Sequence, residues 1–309
     1  MEMDDLSPVV SLDGLQAGDF DVVLVSPHLD DAALSCPGAL FRHRDAGRTV
    51  LTVVPFSHAG DDAALEDAQH YALRRDEERR AALRAGYDVL WGGFVDAPFR
   101  DPPHRTFNEI VWGQGDAELA RRLISWLEEV VDAVEPTQLL APLGVGRHID
   151  HRLVHTATRN LERRWRDLEV WYYEDRPYAL IRHAVEGRLL ELGVETELCF
   201  EEFWSSFTEA TYVVQHLRSQ EERRICRRRF AELYSSPGRD AVERKVEVSF
   251  RLIKAGDCDS IWSVIAEHES QIESFLGSVA AFQRVCQRYA RRIEPDARYL
   301  ERQWRLYGL

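Results

Sequence analysis

Short β-branched runs alternate with longer helical stretches through the first 173 residues, and this alternation constrains the fold more than any other feature. Strands are predicted at 20–26, 49–56, 87–91, 137–141 and 169–173. Helices are predicted between them at 32–46, 63–85, 116–134 and 148–167. Because such alternation builds right-handed βαβ units, it predicts an α/β fold with a mostly parallel sheet and helices on both faces.

The rest of the chain has helical periodicity and no comparable strands. Helices are predicted near 210–234, 262–290 and 295–306. The length of 309 residues allows two units, so we expect an α/β unit at 1–185 and a mostly helical extension at 186–309. No Ser/Gly-rich linker separates them, which favours an extension packed on the first unit. The extension is expected either to wall a cleft or to form a homo-oligomer interface, and the sequence does not choose between these.

The acidic composition excludes several classes of partner. The chain has 39 basic and 53 acidic side chains, a net charge of −14, so neither nucleic-acid nor anionic-membrane binding is expected. No apolar run approaches the ~18 residues that span a bilayer. The acidic segment 1–5 is the reverse of a secretory signal, and five scattered cysteines indicate reduced thiols. A cytoplasmic location is therefore expected.

Three side chains that can bind metals follow the first predicted strand. They are His28, Asp30 and Asp31, and they lie where an open α/β sheet binds ligands, at the carboxyl end of a strand. Because neighbouring side chains diverge, one aspartate is expected to face a divalent cation and the other a water molecule beside it. The alternative is that an aspartate here only caps the following helix.

A second group of candidate ligands follows the fourth predicted strand. His148 and His151 are three residues apart and share one face of a helix, next to the flexible Gly144 and Gly146. The alternative is a helix N-terminus with surface histidines. His155 competes with His151, because spacing alone does not choose between them. Both groups are predicted at the same sheet edge, where they supply what a catalytic zinc site requires: about three N/O ligands, an open position and a base.

These two motifs together resemble the paired signature of the LmbE-like/PIG-L zinc deacetylases. The matching segments are Pro27-His28-Leu29-Asp30-Asp31 and His148-Ile149-Asp150-His151, within a resemblance that covers about residues 18–180. Members of this family share a Rossmann-like fold. They hydrolyse N-acetyl groups on amino sugars, or related amides in thiol-sugar conjugates.

The resemblance implies a role for each residue of the two motifs. His28, Asp31 and His151 would bind zinc, and Asp30 would be the general base. His148 would stabilise the oxyanion in protonated form or donate a proton. These roles describe metal-assisted hydrolysis of an N-acyl group.

Further positions extend the resemblance with less specific motifs. Arg74 begins a segment, 74–77, that is similar to the family's R-x-x-E helix, in which the arginine faces the sugar; a solvated helix face is the alternative. Asp96 matches an aspartate that hydrogen-bonds the sugar. Asp150 is expected to orient one of the histidines, as outer partners of metal ligands do. Gly146 departs from the family, since some sugar deacetylases have a gating tyrosine there.

The expected function is a zinc-dependent hydrolase that removes an N-acetyl group from a small amino-sugar-containing metabolite. One alternative is an amidase of the same mechanism that cleaves a larger thiol-sugar conjugate. Another is a metal-free, non-enzymatic member of the family. A nucleotide-binding protein is disfavoured, because the first βα loop lacks G-x-G-x-x-G. Aromatic and acidic side chains at 171–178 suit sugar binding, with core packing as the alternative.

Overall fold

One mixed sheet of seven strands organises the computed structural model, which describes residues 7–235, 247–254 and 258–307. The strand order is β3-β2-β1-β4-β5-β7-β6. The strands are β1 (Val22–Val25), β2 (Val50–Val54), β3 (Asp88–Trp91), β4 (Gln138–Pro142), β5 (Glu169–Tyr173), β6 (Glu247–Lys254) and β7 (Leu300–Tyr307).

Helices cover both faces of the sheet and continue into the C-terminal part. In the α/β unit they are α1 (Asp31–Ser35), α2 (Pro37–Asp45), α3 (Leu65–Ala85), α4 (Phe107–Trp112), α5 (Ala117–Val134) and α6 (Ile149–Arg164). Beyond it lie α7 (Ala184–Glu191), α8 (Phe200–Glu209), α9 (Thr211–His216), α10 (Gln220–Ser235), α11 (Cys258–Ile265), α12 (Glu269–Leu276) and α13 (Val279–Ile293). The expected α/β fold with a mostly helical extension is confirmed.

The five strands of the α/β unit are parallel, and their order reverses between β1 and β4. Their apolar residues are buried on both faces, as continuous β-branched runs predict. Such a reversal leaves a crevice outside the carboxyl ends of the two strands, which is the usual ligand site of these folds. The first motif follows β1 and the second follows β4, so the topology puts both at this crevice.

Three predicted helices are each divided, for reasons of local chemistry. The stretch 32–46 divides at Cys36, because Pro37 has no N–H to donate and instead begins a new helix. The stretch 262–290 divides where Gly277 ends α12 with a positive φ of 75° and Ser278 caps α13. The stretch 210–234 likewise forms two helices, with Ser219 capping the second.

The prediction of a helix at 295–306 is wrong, because residues 300–307 form strand β7. β7 is antiparallel to both β5 and β6. Its Trp304 lies opposite Tyr172 of β5 and Phe250 of β6, so the strand is stabilised by long-range pairing that local periodicity does not reveal. The division of the chain at residue 185 stays a prediction; strands from beyond it complete the sheet.

Amphipathic helices supply the core on the two faces. α5 buries one stripe at i, i+4 spacing, including Leu119, Leu123 and Leu127, and Asp116 caps its first turn. α3 ends at Gly86, which adopts a left-handed conformation. Within the residues that the structure describes, no helix combines the length and apolarity needed to cross a membrane.

Candidate active site

The loop after β1 is folded by its own polar groups. The Ser26 hydroxyl donates to the carbonyl of His28 at 2.7 Å and accepts the Ala32 N–H at 3.0 Å. Asp31 Oδ2 accepts the backbone N–H of His28 at 2.9 Å. This tight turn places the His28 and Asp31 side chains together, while Asp30 diverges from them.

Three imidazoles converge at the crevice from the two motifs. The rings of His28, His148 and His151 have centroids 4.8 to 5.3 Å apart. Each offers one nitrogen to a group in which all ligand atoms lie within 4.8 Å of one another. Segments separated by more than a hundred residues thus meet at one point.

Carboxylates fix the orientation of two of these histidines. His28 Nε2 lies 3.2 Å from Asp150, and His151 Nδ1 lies 2.6 Å from Asp175. Because a carboxylate only accepts, each of these nitrogens carries a proton. The opposite nitrogens, His28 Nδ1 and His151 Nε2, both lie 3.3 Å from Oδ2 of Asp31.

The donor set of His28 Nδ1, His151 Nε2 and Asp31 Oδ2 fits a divalent metal. Ligands bound at about 2.0–2.1 Å around a tetrahedral zinc ion lie about 3.3 Å apart, which is the separation of Asp31 Oδ2 from each facing nitrogen. Burial lowers the pKa of His28, but the Asp96 and Asp31 carboxylates overcome this and raise it to about 10. The position therefore strongly favours a cation.

A second group of candidate ligands also contains His28, but its two carboxylates already have cationic or hydrogen-bonding partners. It consists of His28, Asp96 and Asp150. Asp150 accepts hydrogen bonds from Arg100 and from the Ala97 N–H, so it already has a cationic partner. Asp96 accepts from the Tyr71 hydroxyl, and Arg74 lies 3.8 Å away. The donor set around Asp31 is the better metal site of the two.

Asp30 lies on the other side of the turn, beside Arg74. Its carboxylate is 3.5 Å from the guanidinium, and both side chains are buried. Burial and the neighbouring negative charge of Asp31 raise the pKa of Asp30 to about 6. A carboxyl group with such a pKa exchanges protons close to neutral pH.

The surroundings of His148 favour a neutral imidazole. Its Nδ1 accepts the backbone N–H of Asp150 at 3.3 Å. Burial, together with the positive charges of His28 and His151, lowers its pKa well below the usual range. His148 is therefore a neutral imidazole with its proton on Nε2, so it can donate a hydrogen bond but carries no charge.

These residues line a pocket of about 340 Å³ that both halves of the chain enclose. The α/β unit contributes aromatic and apolar walls, including Tyr71, Phe99 and Phe107. The extension contributes the remaining lining residues, which sequence reasoning missed: His216, Gln271, Ser274 and Phe275. The extension therefore walls the cleft, one of the two roles expected for it.

Hydrogen bonds hold this wall against α3. The Glu77 carboxylate accepts the backbone N–H of Ser270 at 2.9 Å and its hydroxyl at 2.7 Å, at the start of α12. Glu267, just before α12, pairs with Arg80 and Arg84. These bonds fix the position of the pocket residues that α12 carries.

Gly146 leaves room for a tyrosine from another segment. It has a φ of 83°, and a Cβ built on it would collide with the Tyr178 ring. Tyr178 lines the pocket. An aromatic ring therefore occupies the side-chain space of residue 146, although the sequence has glycine there.

The other candidate residues divide between the pocket and its surroundings. Arg74 and Asp96 line the pocket, whereas Asp150 lies behind His28. His155 packs against Tyr172 and lies 3.0 Å from the Pro142 carbonyl. Asp175 follows β5 at the same sheet edge; this placement could have identified it as a partner of the metal site.

Comparisons with known proteins agree with this geometry. Residues 23–162 match the PIG-L family model, described as GlcNAc-PI de-N-acetylase. The 2'-N-acetylparomamine deacetylase of Streptomyces fradiae is 36% identical over 172 residues, which cover 53% of this chain and 60% of that protein. The chain thus spans less than two thirds of this relative's length.

Solved deacetylase structures share the fold. The zinc-inhibited form of a teicoplanin deacetylase is 18% identical, with a TM-score of 0.64 over 93% of this chain and 98% of that one. The A40926 pseudoaglycone deacetylase is 18% identical, with a TM-score of 0.60 over 94% and 98%. The fold and both motifs agree with the match of residues 23–162 to the PIG-L family model.

Proposed function

We propose that this protein is a zinc-dependent hydrolase that removes an N-acetyl group from an amino-sugar-containing metabolite. One observation carries the proposal: the inner nitrogens of His28 and His151, on the ring sides opposite Asp150 and Asp175, both lie 3.3 Å from Asp31 Oδ2. Two imidazoles and a carboxylate with an adjoining pocket form the donor set of a hydrolytic zinc site. The names of the relatives, a 2'-N-acetylparomamine deacetylase, a teicoplanin deacetylase and an A40926 pseudoaglycone deacetylase, support acetyl removal.

His28, Asp31 and His151 would bind the metal. When bound, zinc would polarise the amide carbonyl and lower the pKa of water. Asp150 and Asp175 would hold the two histidines in the tautomers that leave their inner nitrogens free. The protein would therefore contribute two imidazoles that are already oriented for metal binding.

Asp30 would act as the general base. With a pKa of about 6 it is mostly ionised at neutral pH, yet basic enough to accept a proton from the attacking water. The adjacent Arg74 guanidinium holds the carboxylate in place at 3.5 Å. After the tetrahedral intermediate forms, the same carboxyl group would return the proton to the leaving amine.

His148 would donate a hydrogen bond to the developing oxyanion through its Nε2–H. Because the imidazole is neutral, this donor acts through its dipole. Arg74 and Asp96, which line the pocket, would hydrogen-bond hydroxyl groups of the sugar, and the Tyr71 and Tyr178 rings would pack on its faces.

Acetate release from a panel of N-acetylamino sugars and larger N-acyl analogues tests the proposal. We expect zinc-loaded protein to release acetate, and Asp30→Asn to keep its zinc but lose about 10²–10⁴-fold in turnover. His28→Ala should lose the metal, and Asp62→Asn, at an exposed aspartate, is the matched control. Wild-type turnover in Asp30→Asn would refute the assigned base. Wild-type protein that binds no metal would refute the function.

A further inference from the structure

A second cavity, of about 630 Å³, lies beside the catalytic pocket. Its walls come from the segment 177–182, the junction of α8 and α9, the end of α12, and α13. None of the residues assigned to catalysis or metal binding lines it.

The two cavities are neighbours. Pro177 lines both of them. The consecutive residues Phe275 and Leu276 line the catalytic pocket and the second cavity, respectively. The two cavities therefore adjoin at Pro177 and at Phe275–Leu276.

Three arginines face the second cavity: Arg182, Arg288 and Arg292. Arg182 pairs with Glu202 at 3.0 Å, whereas Arg292 donates to the carbonyl of Leu180 and lies over the Tyr289 ring. Among the described residues, no carboxylate forms an ion pair with Arg288 or Arg292. Burial lowers the pKa of Arg292, and so do the positive charges of Arg182 and Arg288, against the opposing influence of Tyr289 and Glu186.

The remaining walls are largely apolar. Leu180, Ile181, Ala210, Leu276 and Val285 contribute hydrocarbon surface, and Glu209 is the one carboxylate among the lining residues. In a protein with a net charge of −14, this is a local excess of positive charge next to the proposed reaction site. Guanidinium groups bind carboxylates and phosphates through paired hydrogen bonds.

We propose that this arginine cavity binds an anionic group carried by the aglycone of the substrate, beyond the N-acetylated sugar. The inference rests on the proposed deacetylase function and narrows its substrate class. The substrate is an N-acetylamino-sugar glycoside whose aglycone has an apolar stretch ending in a carboxylate or phosphate. Arg288 and Arg292 bind the anion, and the apolar walls contact the stretch.

A ladder of N-acetylglucosaminides tests this assignment. The aglycones are linear alkyl chains of increasing length, each made with a terminal carboxylate and with the corresponding methyl ester, and the methyl glycoside is the shortest member. The measured quantity is the ratio of kcat/KM for carboxylate over ester. We expect this ratio to reach about 10-fold or more at one range of lengths, as a charge-assisted hydrogen bond would give.

Variants locate the anion site. Arg288→Gln with Arg292→Gln should reduce the carboxylate preference to near one. Arg284→Gln, at an arginine of the same helix that does not line the cavity, should retain it. A phosphate-terminated glycoside of the best chain length shows which anion raises kcat/KM more. A kcat/KM above that of the uncharged ester, for either anion, supports the proposal. Equal rates for acid and ester at every length, or a preference that survives the double variant, would overturn it. If no glycoside releases acetate, including the methyl glycoside, the proposed function itself has failed.

Discussion

Replacing Asp175 with asparagine is expected to weaken metal binding by reversing the tautomer of His151. Asp175 is fully buried, and its Oδ2 accepts the backbone N–H groups of Gly144 and Val145 at 2.8 Å each. Its Oδ1 accepts Nδ1–H of His151 at 2.6 Å. An asparagine that keeps both backbone bonds turns its NH₂ toward the imidazole. Nδ1 must then accept, so the ring proton moves to Nε2, the nitrogen that faces Asp31.

The size of the effect follows from this exchange. Losing an outer partner of a metal-binding histidine typically costs 10–100-fold in metal affinity, about 1.4–2.7 kcal/mol. Because Asp175→Asn also puts a proton on the ligating nitrogen, we expect a loss near the upper end, about 100-fold. The metal-free protein also exchanges a hydrogen bond to a charged group for a neutral one, a loss of about 1 kcal/mol, so its melting temperature should fall.

Competition with a chromophoric chelator measures the zinc affinity directly. Asp167→Asn, at an exposed aspartate, is the matched control and should bind zinc like the wild type. Circular dichroism establishes that the Asp175→Asn protein is folded under the same conditions. Unchanged zinc affinity in folded Asp175→Asn protein would refute the reasoning, because His151 could then not bind the metal through the nitrogen that Asp175 leaves free.

Three further predictions concern contacts around the site. Glu77→Gln weakens the bond to Ser270 that anchors α12, so steady-state kinetics should show KM rising several-fold with a smaller change in kcat; an unchanged KM would contradict this. Burial raises the pKa of Glu78 to about 8. The neutral carboxyl group therefore stabilises the folded state fully below about pH 4.5, and this stabilisation is lost as the pH rises through about 8. The melting temperature of Glu78→Gln should therefore fall less than the wild type's over this range, and parallel curves would exclude the effect. Gly38→Ala places a Cβ 2.9 Å from the buried Glu301 carboxylate and should cost about 1–3 kcal/mol in thermal unfolding, whereas wild-type stability would show that Glu301 moves freely.

The fold and the meeting of the two motifs were predictable because their signals are local. Each apolar run forms a strand by itself, and each motif lies in the few residues after a strand. Parallel strands bring their carboxyl ends to one edge, so His28 and His151 could be expected to approach each other without any knowledge of side-chain contacts. The tautomers that free their inner nitrogens depend on Asp150 and Asp175, whose orientations no local pattern fixes.

The C-terminal part was predictable only as helical in general. β7 is a strand because β5 and β6 pair with it from distant parts of the chain, and such pairing overrides local propensity. The pocket residues of the extension were equally hidden. Gln271 and Phe275 lie on a short amphipathic helix, and nothing in the sequence indicates that α12 packs over the crevice.

Helix α3 shows how tertiary packing changes the meaning of a charged sequence. Its Arg/Glu-rich composition is typical of a solvated face, yet Arg74, Glu77 and Glu78 are buried. The segments that pack on this helix include the metal-site loop, which Arg74 contacts through Asp30, and the start of α12, which Glu77 holds through Ser270. Because residues 74 and 77 are three apart, they share a face of α3. One turn of helix therefore links the proposed base to the substrate wall, so a change in its packing should affect turnover and substrate binding together.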